Sequence, residues 1–157
     1  MIEPGQPAPD FELPNQDGEP VRLSDLRGKR IVLYFYPKAD TPGCTTQACG
    51  IRDHQADYDA AGATILGVSP DPVKAVKKFH DKYALSFDLL ADADHTVADE
   101  YGVWVEKSMY GRKYWGNARA TFVIDEECIV RHVVPKASPK THDDVILAAL
   151  AELAPAA

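Results

Sequence analysis

Two continuous runs of apolar residues stand out in the first half of the chain. Residues 31–36 (IVLYFY) are β-branched or aromatic throughout and end at Pro37, and residues 63–68 (ATILGV) form a second run. Runs of this length and composition are typical of strands buried on both faces. Residues 87–90 predict a further short strand. These runs indicate a central sheet covered on both sides.

Two further patterns predict hairpins near the ends of the chain. Residues 11–13 and 21–23 flank the polar turn at residues 15–18 (NQDG). Residues 120–124 (ATFVI) and 129–134 (IVRHVV) are apolar segments separated by a short polar stretch. Paired apolar segments joined by turn residues favour antiparallel strands.

Helix signals fill the intervals between these strands. Four helices are predicted: from residue 44 to about 61, from Asp71-Pro72 to Tyr83, from Asp94, as the cap, to Gly102, and from Thr141 onward. Asp, Thr and Pro favour helix starts, and Gly favours helix ends. Strands that alternate with helices before a final hairpin and helix predict an α/β layered fold with a mixed central sheet.

Length and charge narrow the classes of function. The chain has 157 residues, which predicts one domain over residues 1–157. Its net charge of −7 would repel the phosphates of nucleic acid, so we expect no nucleic-acid partner. No stretch approaches the ~20 apolar residues that cross a bilayer, so no membrane association is expected. The first residues (MIEPGQPAPDF) do not resemble a signal peptide.

These observations predict a protein of the reducing cytoplasm, where cysteines are catalytic, metal-binding or buried more often than disulfide-bonded. The three cysteines are an odd number, which argues against a fixed disulfide framework. Two of them lie five residues apart without a second pair, which does not resemble a zinc site, and the five histidines are scattered. The sequence therefore predicts neither a metal nor a cofactor.

Cys44 is the strongest candidate for chemistry. It lies just beyond a buried strand and at the start of a predicted helix, where free backbone N–H groups and the helix dipole favour an anion. A thiolate there could attack a peroxide, and the same N–H groups could hold the departing oxygen. Thr41 can reach the sulfur with its hydroxyl, Gly43 lets the backbone approach a ligand, and Pro37 would help close the pocket against water. The alternative is a small buried residue at a helix start.

Cys49 follows Cys44 by five residues. On a regular helix the two side chains are about 140° and about 7.5 Å apart, which is incompatible with a disulfide. If the two cysteines pair, the helix must open, and Gly50 lowers the cost of opening. We therefore predict a helix through both cysteines in the thiol form and an unwound segment in the disulfide form. The alternative is that Cys49 is a buried core thiol.

Residues 35–53 (FYPKADTPGCTTQACGIRD) closely resemble the active site of peroxiredoxins. The chain looks like the peroxiredoxin Q branch, also called bacterioferritin comigratory protein. The family motif P-x-x-x-T-x-x-C maps onto Pro37, Thr41 and Cys44, and its resolving cysteine on the same helix maps onto Cys49. A second motif, an Arg before a T-F-hydrophobic-I-D strand, maps onto residues 119–125 (RATFVID).

The resemblance implies a thioredoxin-like fold with an N-terminal β-hairpin extension. It implies reduction of hydrogen peroxide and organic hydroperoxides, with electrons from thioredoxin or a similar dithiol, in a monomer. It also assigns Arg119 as the cation that stabilises the thiolate and holds a peroxide oxygen. Without the resemblance, Arg119 would be interpreted as a surface charge at a strand edge.

The chain departs from its relatives at Cys128, which occupies a turn position where many of them have Gly. A positive φ there is unfavourable for Cys. Cys128 is either a harmless thiol or a second oxidation or dimer-forming site. Two other functions remain open: a protein thiol–disulfide oxidoreductase, which would lack its usual C-x-x-C motif, and a non-enzymatic binding or chaperone-like domain with inert cysteines.

Overall fold

The computed structural model describes residues 1–153, so the last four residues of the predicted domain lie outside the described residues. The strands are β1 (Glu12–Pro14), β2 (Pro20–Arg22), β3 (Arg30–Phe35), β4 (Ala63–Ser69), β5 (Asp88–Ala91), β6 (Trp104–Met109), β7 (Arg112–Asn117), β8 (Ala120–Ile124) and β9 (Val130–Val134). The α-helices are α1 (Pro42–Asp53), α2 (Gln55–Ala60), α3 (Val73–Lys82), α4 (Thr96–Tyr101) and α5 (His142–Glu152). A short 3-10 helix covers Leu23–Leu26.

A five-stranded mixed sheet forms the centre, in the order β5-β4-β3-β8-β9. The strands β3, β4 and β5 are parallel, whereas β8 is antiparallel to both β3 and β9. The strands β1 and β2 form a separate antiparallel pair near the N-terminus. The predicted α/β fold, mixed sheet and N-terminal hairpin are therefore confirmed.

Strand β3 is covered on both faces, as its unbroken apolar sequence predicts. Val32 and Tyr34 face a cluster that includes side chains of α1, α2, α3 and α5. Leu33 and Phe35 face a second cluster, which includes side chains of the N-terminal segment and α4. Because β3 is fixed from both sides, the loop and helix that follow it start from a rigid point.

The prediction of one helix from residue 44 to about 61 is wrong at its middle. Two helices meet at His54, whose backbone (φ −104°, ψ 16°) departs from helical geometry. The ring Nδ1 of His54 lies 2.8 Å from the Gly50 carbonyl oxygen and hydrogen-bonds to it. The side chain thus binds the helix backbone locally and marks the end of α1.

The predicted cap of α4 is also wrong. Its N-cap residue is His95, in a left-handed conformation with φ 50°, rather than Asp94. The carboxylate that accepts from the first helical N–H groups belongs to buried Asp92, at 3.3 Å from Val97 N and 2.9 Å from Ala98 N. An acidic residue does stabilise this helix start, but from two positions earlier.

The hairpin of β6 and β7 has no counterpart among the predicted elements. Its strands pair through residues 104–109 and 112–117 around a turn at Tyr110 and Gly111, both with positive φ. Most of its side chains are exposed, so no apolar alternation marks it in the sequence. Within residues 1–153, no helix combines the length and apolar character needed to cross a membrane.

Candidate active site

Cys44 lies in the first turn of α1, close after the carboxyl end of β3. Its side chain is buried, with 1% of the residue exposed. Thr41 precedes the helix in an extended conformation, and its carbonyl oxygen accepts from Thr45 N at 2.8 Å. The first N–H groups of a helix have no partner within it, so they surround the position of the sulfur with donors.

The loop between β3 and α1 is held from the side of α3. Asp71 Oδ2 accepts from Ala39 N at 2.8 Å. Asp40, which has a φ of 60°, accepts from Lys82 Nζ at 2.9 Å and from the Tyr83 hydroxyl at 3.0 Å. These contacts fix the strained turn that leads into the helix start.

Arg119 places its guanidinium against the sulfur. Its Nη2 lies 3.4 Å from Cys44 Sγ, and its Nη1 donates to Gln47 Oε1 at 2.8 Å. Its backbone is fixed by Ala137, whose N–H donates to Arg119 O at 2.7 Å. A β carbon at Gly43 would lie 3.0 Å from Arg119 Nη2, so a larger residue there would push the guanidinium away. The structure thus brings Cys44, Gly43 and Arg119 together.

Gln47 was missed by sequence reasoning. It is buried, with 1% exposure, three residues after Cys44 on the same face of α1. Its Oε1 orients Arg119, so the sulfur and the amide hold the guanidinium at two points. The helical spacing from Cys44 was a signal that could have revealed it.

Thr41 lies beside the site, but its hydroxyl has another partner. Thr41 Oγ1 donates to the Lys38 carbonyl oxygen at 2.8 Å. In this arrangement the hydroxyl proton is directed to the loop and not to Cys44. A contact with a thiolate or a peroxide would require the side chain to rotate, so the role of Thr41 stays a prediction.

A cavity of about 430 Å³ adjoins the guanidinium of Arg119. It is lined by Pro37, Val105, Lys107, Ala118, Arg119, Pro135, Lys136 and Ala137. Most of these residues are apolar, so the cavity has room and surface for an alkyl group. Pro37 forms part of the wall, and its role in substrate binding stays a prediction.

Cys49 lies further along α1 and is partly exposed, and all three cysteines are free thiols. The helix is continuous through both Cys44 and Cys49. This confirms the predicted geometry of the thiol form. The unwound disulfide form remains a prediction.

The end of α1, its junction with α2 at His54, and α2 itself are held to the start of α5 by contacts that we call the Asp143 clasp, formed by Gly50, His54, Tyr58 and Asp143. The Tyr58 hydroxyl donates to Asp143 Oδ1 at 2.6 Å, and His54 Nδ1 lies 3.5 Å from Asp143 Oδ2. A β carbon at Gly50 would lie 2.6 Å from Asp143 Oδ2, so a larger residue there would displace this carboxylate. Burial raises the pKa of Asp143, while the Gly50 carbonyl and then Asp143 raise that of His54.

Cys128 lies at the opposite end of the sheet from Cys44. It follows β8, whose last residue, Ile124, pairs with Ile31 near the start of β3, whereas Cys44 follows the end of β3. The expected unfavourable turn is confirmed, because Cys128 has a φ of 62°. A disulfide between Cys44 and Cys128 is incompatible with this sheet.

A family model described as the AhpC/TSA family matches residues 4–133. Among curated proteins, the putative peroxiredoxin bcp of Coxiella burnetii is 52% identical over 141 residues, which covers 90% of this chain and 93% of that protein. Peroxiredoxin Bcp of Escherichia coli is 46% identical over 146 residues, covering 93% of this chain and 94% of that protein.

Solved structures of related proteins are also similar to this chain. Peroxidoxin BcpB from Mycobacterium tuberculosis has a TM-score of 0.88 and 38% identity, covering 98% of this chain and 99% of that one. The bacterioferritin comigratory protein of Xanthomonas campestris, described for its alkyl peroxide reduction activity, has a TM-score of 0.85 and 37% identity, covering 90% of both chains.

Proposed function

The chain belongs to the AhpC/TSA family and is a thiol-dependent peroxidase of the peroxiredoxin class, and from this premise we propose that Cys44 attacks the peroxide and Cys49 resolves the product. One observation carries the first assignment. Cys44 Sγ lies at the start of α1, 3.4 Å from Arg119 Nη2, with no acidic side chain among the residues that line the adjoining cavity.

In the first step the Cys44 thiolate attacks one oxygen of the peroxide. The S–O bond forms as the O–O bond breaks, and the leaving oxygen takes up a proton to become water or an alcohol. The guanidinium of Arg119 and the N–H groups of α1 stabilise the charge on sulfur and on the leaving oxygen. Thr41, after rotation away from Lys38, adds a hydroxyl donor to the bound peroxide.

In the second step the Cys49 thiol condenses with the Cys44 sulfenic acid, forming an S–S bond and releasing water. Because a regular helix holds the two side chains apart, α1 must unwind between them. The Asp143 clasp begins just beyond Cys49 and restrains the chain that follows the unwinding segment. Thioredoxin or a similar dithiol then reduces the disulfide by thiol–disulfide exchange.

The substrates we propose are hydrogen peroxide and organic hydroperoxides. Hydrogen peroxide needs only the donors around the sulfur. The apolar cavity beside Arg119, with Pro37 in its wall, accommodates the organic part of a larger hydroperoxide. This agrees with the alkyl peroxide reduction described for the Xanthomonas campestris relative.

We further propose that residues 1–157 form one domain that acts as a cytoplasmic monomer without metal or cofactor. The support for one domain is that both apolar clusters lie on the two faces of one sheet. The proposed chemistry uses only side chains, backbone N–H groups and an external dithiol.

Three Cys→Ser variants test the assignment by stopped-flow reaction with hydrogen peroxide. Cys44→Ser should lose the reaction entirely, because the nucleophile is gone. Cys49→Ser should form one sulfenic acid per chain at the normal rate and then stall. Cys128→Ser, the matched control at the other end of the sheet, should turn over normally. Trapping with a sulfenic-acid reagent and mass spectrometry identifies the oxidised residue.

Two outcomes would contradict the proposal. Loss of the first oxidation in Cys49→Ser would remove the division of roles between the two cysteines. Fast exchange with protein disulfides but no fast reaction with any peroxide would favour the thiol–disulfide oxidoreductase instead.

A further inference from the structure

The cavity beside Arg119 is positively charged although the chain carries a net charge of −7. Three of its lining residues, Lys107, Arg119 and Lys136, are cationic, and none is acidic. The remaining lining residues are Pro, Val or Ala. The cavity therefore combines an apolar surface with a local excess of positive charge.

Lys107 is the partly buried lysine of this cavity wall. It lies on β6 and is only partly exposed, and none of the ion pairs found within residues 1–153 includes it. Its aliphatic stem passes over Gly116 of the paired strand, where a β carbon would lie 3.8 Å from Lys107 Cδ. Burial and the like charge of Arg119 lower the pKa of Lys107, and Cys44 opposes this.

Holding an ammonium group half-buried beside a guanidinium is unfavourable unless an anion compensates both. The Cys44 thiolate is one such anion, and Arg119 already contacts its sulfur at 3.4 Å. Lys107 and the exposed Lys136 lie on the cavity wall, where an anionic group of a bound molecule could meet them.

We propose that Lys107, with Lys136 at the rim, forms a subsite for the carboxylate of an organic hydroperoxide whose apolar part fills the cavity. The subsite makes the enzyme select anionic hydroperoxides over neutral ones of the same shape. This inference rests on the proposed reaction of Cys44 with peroxides and adds a substrate class to it. Hydrogen peroxide has no group that reaches the subsite.

The test compares two hydroperoxides that differ only in charge: cumene hydroperoxide and its para-carboxylate derivative. The measured quantity is the second-order rate constant for oxidation of Cys44 by the carboxylate derivative, divided by the rate constant for cumene hydroperoxide. Any effect of a substitution on the sulfur itself cancels in this ratio. The variants are Lys107→Gln and Lys107→Glu. The matched control is Lys113→Gln on the same hairpin, whose side chain is 78% exposed.

In the unmodified protein the ratio should exceed one and fall as salt is added, because screening weakens charge selection. Lys107→Gln should lower the ratio by about threefold to tenfold, and Lys107→Glu should lower it further. Lys113→Gln should leave the ratio unchanged.

The ratio could be the same in the unmodified protein and in Lys107→Gln while the unmodified protein reacts normally with hydrogen peroxide. That result overturns the subsite and leaves the proposed function intact. A salt-independent ratio overturns it as well. Failure of Cys44 to react with hydrogen peroxide would instead overturn the proposed function, and the subsite with it.

Discussion

Arg119 contacts two residues one turn apart on α1. One nitrogen of its guanidinium lies 3.4 Å from Cys44 Sγ and another donates to Gln47 Oε1 at 2.8 Å. A planar fork with fixed donors can satisfy two partners at once, which a Lys ammonium cannot do with the same geometry. Gln47 therefore acts as a positioning residue for the cation that faces the sulfur.

At the scale of the single residue, we predict that Arg119→Met slows the reaction of Cys44 with hydrogen peroxide by about 100-fold, because the charge on sulfur and on the leaving oxygen loses its main donor. Rapid mixing with peroxide at several pH values measures this. Arg112→Met, an exposed arginine on β7, is the control and should react normally. A rate for Arg119→Met within twofold of the unmodified protein would remove Arg119 from the mechanism.

The position of Cys44 at a helix start and the flexibility of Gly43 were predicted from the residues, whereas Arg119 was placed at the sulfur only by the resemblance to peroxiredoxins. The sequence did not predict Gln47, whose role depends on a contact with a residue 72 positions away. It misplaced the acid that caps α4, because Asp92 and Asp94 are indistinguishable until the backbone path is known. Sequence reasoning missed contacts that depend on the folded path of the chain, whether with a distant residue, as at Gln47, or with near ones, as at Asp92.

At the scale of secondary-structure elements, α1 is attached at both ends. Its start is fixed by the loop after β3, and its end is fixed through the junction with α2, where His54 and Tyr58 contact Asp143 in the Asp143 clasp. Gly50 was expected to ease unwinding through its weak helix propensity. The structure adds a second reason for Gly there, since Asp143 Oδ2 occupies the space that a β carbon would need.

We predict that Asp143→Ala accelerates disulfide formation between Cys44 and Cys49 by about threefold to tenfold. The variant loses the hydrogen bond from Tyr58 on α2 and the charge beside His54, so the end of α1 is anchored less firmly and the helix opens more easily. The measurement is the rate of loss of free thiol after one equivalent of peroxide. Asp144→Ala, on the neighbouring exposed residue, should not change the rate. Slower resolution in Asp143→Ala would show that the clasp aligns the cysteines rather than restraining them.

The elements that were predicted correctly are those in which burial determines the pattern of apolar and polar residues. Residues 31–35 of β3 are apolar because both faces of the strand are covered, and β8 and β9 pair as their sequences indicate. The strands β6 and β7 pair through their backbones, and most of their side chains face solvent. Their sequences therefore lack the alternation of apolar and polar residues that would indicate a strand. The break at His54 depends on one side chain that binds Gly50 O, which no periodicity reveals.

At the scale of the whole molecule, the described chain surrounds its sheet with two apolar clusters, and a few polar groups are buried among them. His142 is one, with 2% exposure, and its Nε2 lies 2.9 Å from Thr121 Oγ1. Burial, together with the charge of Arg119, lowers the pKa of His142 from 6.5 to about 4. The folded protein therefore keeps this ring neutral where an unfolded chain would protonate it.

This predicts that the free energy of unfolding decreases as the pH falls from 6.5 toward about 4, because the unfolded state binds a proton that the folded state excludes. The loss from this one group is roughly 2 kcal/mol between pH 7 and pH 5. Urea denaturation at both pH values measures it. In His142→Gln this part of the pH dependence should disappear. An unchanged pH dependence in that variant would assign the acid sensitivity to other groups.

Cys44 is almost completely buried in the thiol form, with 1% of the residue exposed, and this affects the two molecules of the proposed cycle differently. A molecule as small as hydrogen peroxide needs a far smaller opening than the dithiol of another protein, which cannot contact a sulfur enclosed in this way by α1 and Arg119. Under the proposed mechanism, the reducing partner would engage only a chain whose first helix has unwound. The conformation of the disulfide form would thus allow the electron donor to recognise it, and the thiol form would not bind the donor.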